Sequence, residues 1–242
     1  MRSCGNTDVG LKRNTNQDYL FCSDEPVGAF PNLYIVADGM GGHRAGDHAS
    51  HMAVDRFVQL AEQTKQTNPV TLMRTLLSWV NEEIYQEAMS DEAYYGMGTT
   101  FVAITVINGM GYVLNVGDSR LYKISNYEIK QVTLDHSMVE ELVRSGDLTP
   151  QEARRHPRRN IITRAVGVGE TVLPDFFEIE LSKGDQILLC SDGLSNMIQD
   201  DELLSIVTSD KNIDDKVRYL IDRANYYGGY DNIAAVLVVN EE

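Results

Sequence analysis

"FVAITVINGMGYVLNVGDSRLYKI", residues 101–124, is a pair of apolar runs rich in Val, Ile, Thr and Tyr, interrupted by Asn108–Gly109. Asn-Gly is the chemistry of a two-residue β-hairpin, because both central positions of that turn need a positive φ that these residues tolerate. Strands joined so tightly pair antiparallel, since a parallel pair needs a long crossover. The same texture continues outward, with YLFCSD and NLYIVAD upstream and YEIKQVTLD, FFEIEL, DQILLCSD and NIAAVLVVN downstream. A second hairpin-like break falls at Ser125–Asn126.

Helical periodicity is confined to two blocks. The first covers 45–66 and 69–90, with Val54, Phe57, Val58 and Ala61 on one face and Leu72, Leu76, Trp79, Val80 and Ile84 on another. The second covers about 200–208 and 213–226. Strands with segregated helix pairs predict an α+β layered architecture. The segment 137–163 interrupts the strands with two short helical stretches, and Thr149, Pro150 and Glu152 form a helix-start signal there. An irregular excursion of that length inside a sheet protein is often functional. No repeat or linker divides the 242 residues, which are expected to form a single domain, 1–242.

Lys and Arg total 21 against 36 Asp and Glu, a net charge of −15, which argues against nucleic acid or an anionic membrane as partner. No run reaches the 18 or so apolar residues of a membrane span, and MRSCGNTDVG lacks the apolar core of a signal peptide. Cys4, Cys22 and Cys190 have no metal-ligand spacing and read as small hydrophobes. A reducing cytoplasm is the expected compartment.

The carboxylates carry the chemistry. LYIVADG ends on Asp38–Gly39, YVLNVGDS on Asp118 and ILLCSDG on Asp192–Gly193; Asp231 opens the last strand, and Asp18 closes RNTNQD just before YLF. Each alone is an ordinary turn residue. Together, at strand ends that a layered sheet can bring to one edge, they would repel and raise one another's pKa unless hard divalent cations intervened. An oxygen-only site for Mg²⁺ or Mn²⁺ is therefore expected. Such sites hold two ions about 3.5–4 Å apart and turn a bound water into a nucleophile near neutral pH. Gly39 would let its carbonyl approach a cation, and Gly41 and Gly42 would allow positive φ. Arg13, five residues before Asp18, is suited to bidentate phosphate binding. Ions, arginine and activated water describe phosphate-ester hydrolysis. No cysteine stands in a Cys-x5-Arg arrangement, which disfavours a cysteine-phosphatase route.

In order, RNTNQD, VADGMGG, GTT, NVGDSR, DHS, SDGL and a late DN closely resemble the metal-dependent PP2C-type (PPM) protein serine/threonine phosphatases, nearest the bacterial branch. The resemblance spans essentially the whole chain. It implies a central β-sandwich of two antiparallel sheets flanked by pairs of α-helices, with a dinuclear Mn²⁺/Mg²⁺ centre at one end and a flap subdomain over about 137–163. It further implies Asp38 as bridging ligand, Gly39 as carbonyl ligand, and Asp192 and Asp231 as the other ligands of the first metal. Asp118 would serve a third ion as in bacterial members, Asp18 would hold metal-bound water, and Arg13 would bind the substrate phosphate.

Three positions depart from the family pattern. Gln17 stands where Glu is common. Met40 replaces the histidine of eukaryotic enzymes, leaving His43 as candidate general acid. Asn196 stands where some members have an acid. The basic run Arg154, Arg155, Arg158 and Arg159 on the flap could attract a phosphopeptide to an acidic protein. The expected partners are phosphorylated proteins and a cognate eukaryotic-like Ser/Thr kinase, with the enzyme a monomer. Two other readings compete: a regulatory phosphatase of stress or sporulation anti-sigma circuits, and an inactive phosphoprotein-binding module. The flap and the full RNTNQD motif count against the first, and the intact Asp38, Asp192 and Asp231 count against the second.

Overall fold

Asn108 and Gly109 both adopt positive φ, 51° and 76°, and close a hairpin whose strands pair from Ile107↔Met110 to Phe101↔Val116. Around that hairpin a computed structural model describes residues 1–42 and 45–241. The strands are β1 (Arg2–Asp8), β2 (Asp18–Ser23), β3 (Leu33–Met40), β4 (Gly98–Thr99), β5 (Phe101–Ile107), β6 (Met110–Val116), β7 (Arg120–Ser125), β8 (Glu128–Gln131), β9 (Asp175–Glu180), β10 (Gln186–Cys190) and β11 (Ile233–Val239). The helices are α1 (Ala45–Gln63), α2 (Pro69–Ser90), α3 (Met138–Ser145), α4 (Pro150–Arg155), α5 (Asp192–Ser195), α6 (Asp200–Val207) and α7 (Ile213–Tyr226). None is long and apolar enough to cross a membrane.

All strand pairs are antiparallel, in one sheet ordered β1-β11-β10-β7-β8 and a second ordered β2-β3-β5-β6-β9 with β4 beside β3. Alternate side chains divide between the faces, as the pleat requires. Tyr34, Val36, Val102 and Ile104 meet Leu189, Val236 and Val238 between the sheets. Ile35, Ala37 and Ala103 face outward against Ala53, Phe57 and Leu76 of α1 and α2. On the opposite outer face, Leu188, Ala235 and Leu237 take Leu203, Val217 and Leu220 of α6 and α7. Strands buried on both faces read as unbroken apolar runs, and each buried Leu, Ile or Val contributes about 1.5–3 kcal/mol.

The expected helices agree with the observed ones to within a few residues. Thr149 accepts from the Glu152 N–H while Glu152 reaches back to the Thr149 N–H, so the flap helix α4 has its capping box.

Several expectations need correction. GYVLNVGDSRLYKI is two strands in different sheets: β6 and β7 are separated by a crossover at Gly117, whose φ is +104°. β1 was not anticipated; RSCGNTD is half-buried and polar, and becomes a strand by pairing along β11. The second hairpin turns on Asn126–Tyr127, one residue later than expected. Trp79 is 44% exposed, because the buried stripe of α2 runs through Leu76, Leu77, Val80 and Ile84 instead.

Candidate active site

The register of β2 on β3 sets Asp18 directly opposite Asp38. Two like charges facing across an antiparallel pair repel, so this placement needs a third party. β10 delivers Ser191, and Asp192 follows as the first residue of α5. Asp231 lies two residues before β11 and Asp118 in the crossover between the sheets. Asp38, Asp118, Asp192 and Asp231 share one cleft of about 260 Å³ with Gly39 and Arg13. Asn160 and Ile162, on the limb returning from the flap, form part of its wall.

Neighbouring polar residues hold the strand ends and three of the carboxylates. The Asp38 N–H donates to Thr100 Oγ1 at 2.9 Å, and the Asp38 carbonyl accepts from the Thr100 N–H at 2.9 Å and Thr99 Oγ1 at 3.0 Å. Thr100 Oγ1 in turn meets Ser119 Oγ at 2.7 Å, tying the strand end to the crossover. Ser191 Oγ donates to Asp18 Oδ2 at 2.6 Å and accepts from the Ala234 N–H at 2.9 Å. Buried Asn232 accepts from the Gln17 N–H and donates to the Val9 and Thr15 carbonyls, all at 2.9 Å, stapling the RNTNQD loop beside Asp231. Asn196 Nδ2 donates to Asp192 Oδ2 at 3.0 Å. Arg13, half-exposed at the rim, donates from Nη2 to Asp231 Oδ2 at 2.8 Å.

Electrostatics give the cleft its character. Burial first, then the neighbouring carboxylates, push Asp38 and Asp118 well above the usual carboxylate range. Burial likewise raises Asp18 to about 8 and Asp192 to about 6, with further upward pushes from Asp192 and Asp231 on the one and from Asp231 on the other. Asp18 Oδ1 is buried without a hydrogen-bond partner. Among the described residues no three acidic, histidine or cysteine side chains close on one point as a ready coordination shell; the carboxylates line the cleft instead. Oxygen-only donors, an orphaned carboxylate oxygen and mutually raised pKa values all fit hard divalent cations.

Every described residue anticipated from sequence lies at this end of the sandwich: Arg13, Asp38, Gly39, Asp118, Asp192 and Asp231 on the cleft, and Asp18 behind Asp38. His43 lies outside the described residues. A Cβ on Gly39 would sit 1.9 Å from the Gly46 carbonyl oxygen, so this glycine also admits the first turn of α1 against the strand end. Gly41 has a positive φ of 140°, whereas Gly42 does not. Sequence reasoning passed over Thr100, Ser119, Ser191 and Asn232 as actors, although the last three stand beside a carboxylate within GDS, SDG and DN, and Thr100 lies in the GTT motif.

Beyond Asp118 and Asp192 a second cavity of about 300 Å³ opens between the flap helices and α6, lined by Arg120, Glu140, Arg154, Arg159 and Asn196 among others. Arg154 donates to Asp200 on α6 at 3.2 Å, and Arg120 forks onto Asp135 at 2.7–3.1 Å. Of the flap arginines, Arg154 and Arg159 face this cavity, while Arg155 and Arg158 point to solvent.

Residues 12–237 match the model of the family described as protein phosphatase 2C. The chain is 45% identical over 241 residues to protein phosphatase PhpP of Streptococcus pneumoniae, covering 98% of this chain and 96% of that one. It superposes on the serine/threonine phosphatase of S. agalactiae with a TM-score of 0.92 at 38% identity, covering 99% of each chain. It also resembles the catalytic domain of the serine/threonine phosphatase PstP solved with two manganese ions, with a TM-score of 0.88 at 30% identity over 100% of this chain and 98% of that one.

Proposed function

The chain belongs to the protein phosphatase 2C family and dephosphorylates phosphoserine and phosphothreonine in proteins in a metal-dependent reaction, and from that premise we propose which of its residues perform the chemistry. Asp38, Gly39 through its carbonyl, Asp192 and Asp231 hold two Mn²⁺ or Mg²⁺ ions, and Asp118 serves a third. The observation that carries this reading is the Asp18–Asp38 cross-strand pair, with Asp118, Asp192 and Asp231 on the same cleft. When bound, such ions neutralise phosphate charge and supply a hydroxide-like nucleophile near neutral pH.

The chain's own groups do the rest. Arg13 has its guanidinium at the rim, where a fork of N–H donors can take two phosphate oxygens. Its partner Asp231 keeps it oriented in the absence of substrate. Asp18, held on Oδ2 by Ser191, keeps Oδ1 buried and free of protein partners beside Asp38, and would orient the attacking water. Thr100 and Ser119 keep Asp38 and Asp118 in fixed relation. His43 is the proposed proton donor to the departing serine or threonine oxygen.

A eukaryotic-like Ser/Thr kinase is proposed as the source of the phosphoproteins, and phosphoproteomes of a deletion strain with and without that kinase test the pairing. The central test is Mn²⁺-dependent hydrolysis of p-nitrophenyl phosphate. Asp38→Ala and Asp192→Ala are expected to abolish it, and full activity in EDTA would overturn the assignment.

A further inference from the structure

His136, in the DHS motif, is buried and does not line the cleft, yet it bonds in three directions. The Gly117 N–H donates to its Nδ1 at 3.1 Å, and its own N–H donates to the Gly117 carbonyl at 2.9 Å. A ring nitrogen that accepts must be unprotonated, so the imidazole proton sits on Nε2, which faces Asp175 Oδ2 at 3.1 Å. Arg164 Nη1 holds the other oxygen of Asp175 at 2.9 Å. Finally, the His136 carbonyl accepts from the Thr163 N–H at 2.7 Å.

These bonds meet at two places that matter to the cleft. Gly117 immediately precedes Asp118 in the crossover between the sheets, and a Cβ at Gly117 would lie 2.6 Å from Thr100 Cγ2. The crossover is therefore wedged between His136 on one side and Thr100, which holds the Asp38 backbone, on the other. Thr163 immediately follows Ile162, which lines the cleft and bridges to Ser137 at the stem of the flap. A single residue thus grips both the Asp118 turn and the limb by which the flap returns.

We propose that His136 is a positioning residue that locks the Gly117–Asp118 crossover and the returning flap limb into one unit, so that Asp118 and the flap wall keep a fixed relation during turnover. The proposal rests on the reading of the cleft as the phosphatase site. Its structural part is separable, because the hydrogen bonds exist without metal or substrate. The competing account is a histidine that only fills space, whose loss would loosen the whole core rather than two chosen amides.

The test compares wild type, His136→Ala and His136→Asn. Asparagine places a carbonyl oxygen about where Nδ1 accepts, and so keeps the bond to Gly117 while losing the one to Asp175. Amide hydrogen exchange is read on the EDTA-treated protein, and kcat and KM on a phosphothreonine peptide with Mn²⁺. In His136→Ala, exchange at Gly117, whose N–H loses the Nδ1 acceptor, is expected to accelerate by roughly tenfold or more, as befits losing one buried hydrogen bond, while Thr163, held by the main-chain carbonyl of residue 136, loosens less and β5 and β11 amides stay protected. kcat falls with it, and His136→Asn restores both Gly117 protection and kcat. Unchanged exchange at Gly117 overturns the proposal. So do uniform acceleration across the core, a His136→Asn variant no better than alanine, or local loosening with kcat intact. Retained Mn²⁺-dependent activity in Asp38→Ala would instead defeat the catalytic reading, leaving the exchange result to stand or fall alone.

Discussion

Stripping the divalent cations should make the protein progressively less stable as pH rises, the opposite of what an ordinary acidic protein with paired carboxylates does. Asp18 and Asp192 have folded pKa values near 8 and 6 against an ordinary value of 3.8. A carboxyl whose folded pKa lies above its unfolded one binds its proton better when folded. Its contribution is fully present below the unfolded value and is lost as pH climbs through the folded one. The window therefore opens near pH 4 and closes near pH 8. Each unit of separation is worth about 1.4 kcal/mol, so ionising Asp192 alone costs about 3 kcal/mol by pH 7, and Asp18 adds to it. For a chain of this length, 1 kcal/mol moves Tm by about 2–4 °C, so the metal-free protein should lose on the order of 10 °C between pH 5.5 and pH 8. Bound cations replace the protons and remove the penalty. The measurement is Tm with EDTA and with Mn²⁺ across that range, and its readout is the Mn²⁺-induced increment, from which groups remote from the cleft cancel. The increment should grow with pH and collapse in Asp38→Asn. An increment that is flat or shrinking with pH would refute the claim that the five carboxylates crowd one another.

Three further outcomes are expected. Gly193→Ala places a Cβ 1.9 Å from the Asn232 carbonyl oxygen, and since backbone cannot yield cheaply it should cost about 1–3 kcal/mol in urea unfolding and reduce kcat by shifting Asp192 against Asp231. Burial holds His136 below the usual histidine range, with Asp175, Arg164 and Asp135 the charged groups around it. Its folded pKa being depressed, its stabilisation is complete above about pH 6.5 and is lost as pH falls through the folded value, so His136→Asn should flatten the acid limb of a Tm–pH profile. Replacing Arg154, Arg155, Arg158 and Arg159 together with alanine should lower kcat/KM for a phosphoprotein by roughly tenfold more than for p-nitrophenyl phosphate, through lost electrostatic attraction, and equal losses would exclude that role.

The helices and the hairpin were legible in the sequence because their signals are local. Asn108–Gly109 needs only its own φ angles, and the Thr149 cap only the residue three positions on. The candidate ligands were legible for a different reason: a carboxylate at the end of an apolar strand has few structural uses once several recur together. What stayed hidden was long-range. RSCGNTD carries no alternation of its own and becomes β1 only because β11 offers an edge. GYVLNVGDSRLYKI looks continuous because both of its halves are buried, and nothing in its composition marks Gly117 as the point where the chain changes sheets. Ser191, Thr100 and Asn232 are small polar residues whose partners lie 19 to 223 positions away, so periodicity could not reveal them.

The pairing of β1 with β11 also sets an order of events during synthesis. β1 cannot find its place until β11 has left the ribosome, and the Arg13–Asp231 contact waits for the same stretch of chain. The sheet containing β2, β3, β5 and β6 can form from earlier chain, so Asp18 and Asp38 would face each other before Asp192 and Asp231 arrive. Contacts of such sequence separation form slowly, and a nascent chain halted before Asp192 would hold only part of the site. Catalytic competence thus waits for β11, and its onset is a kinetic marker for the docking of that strand.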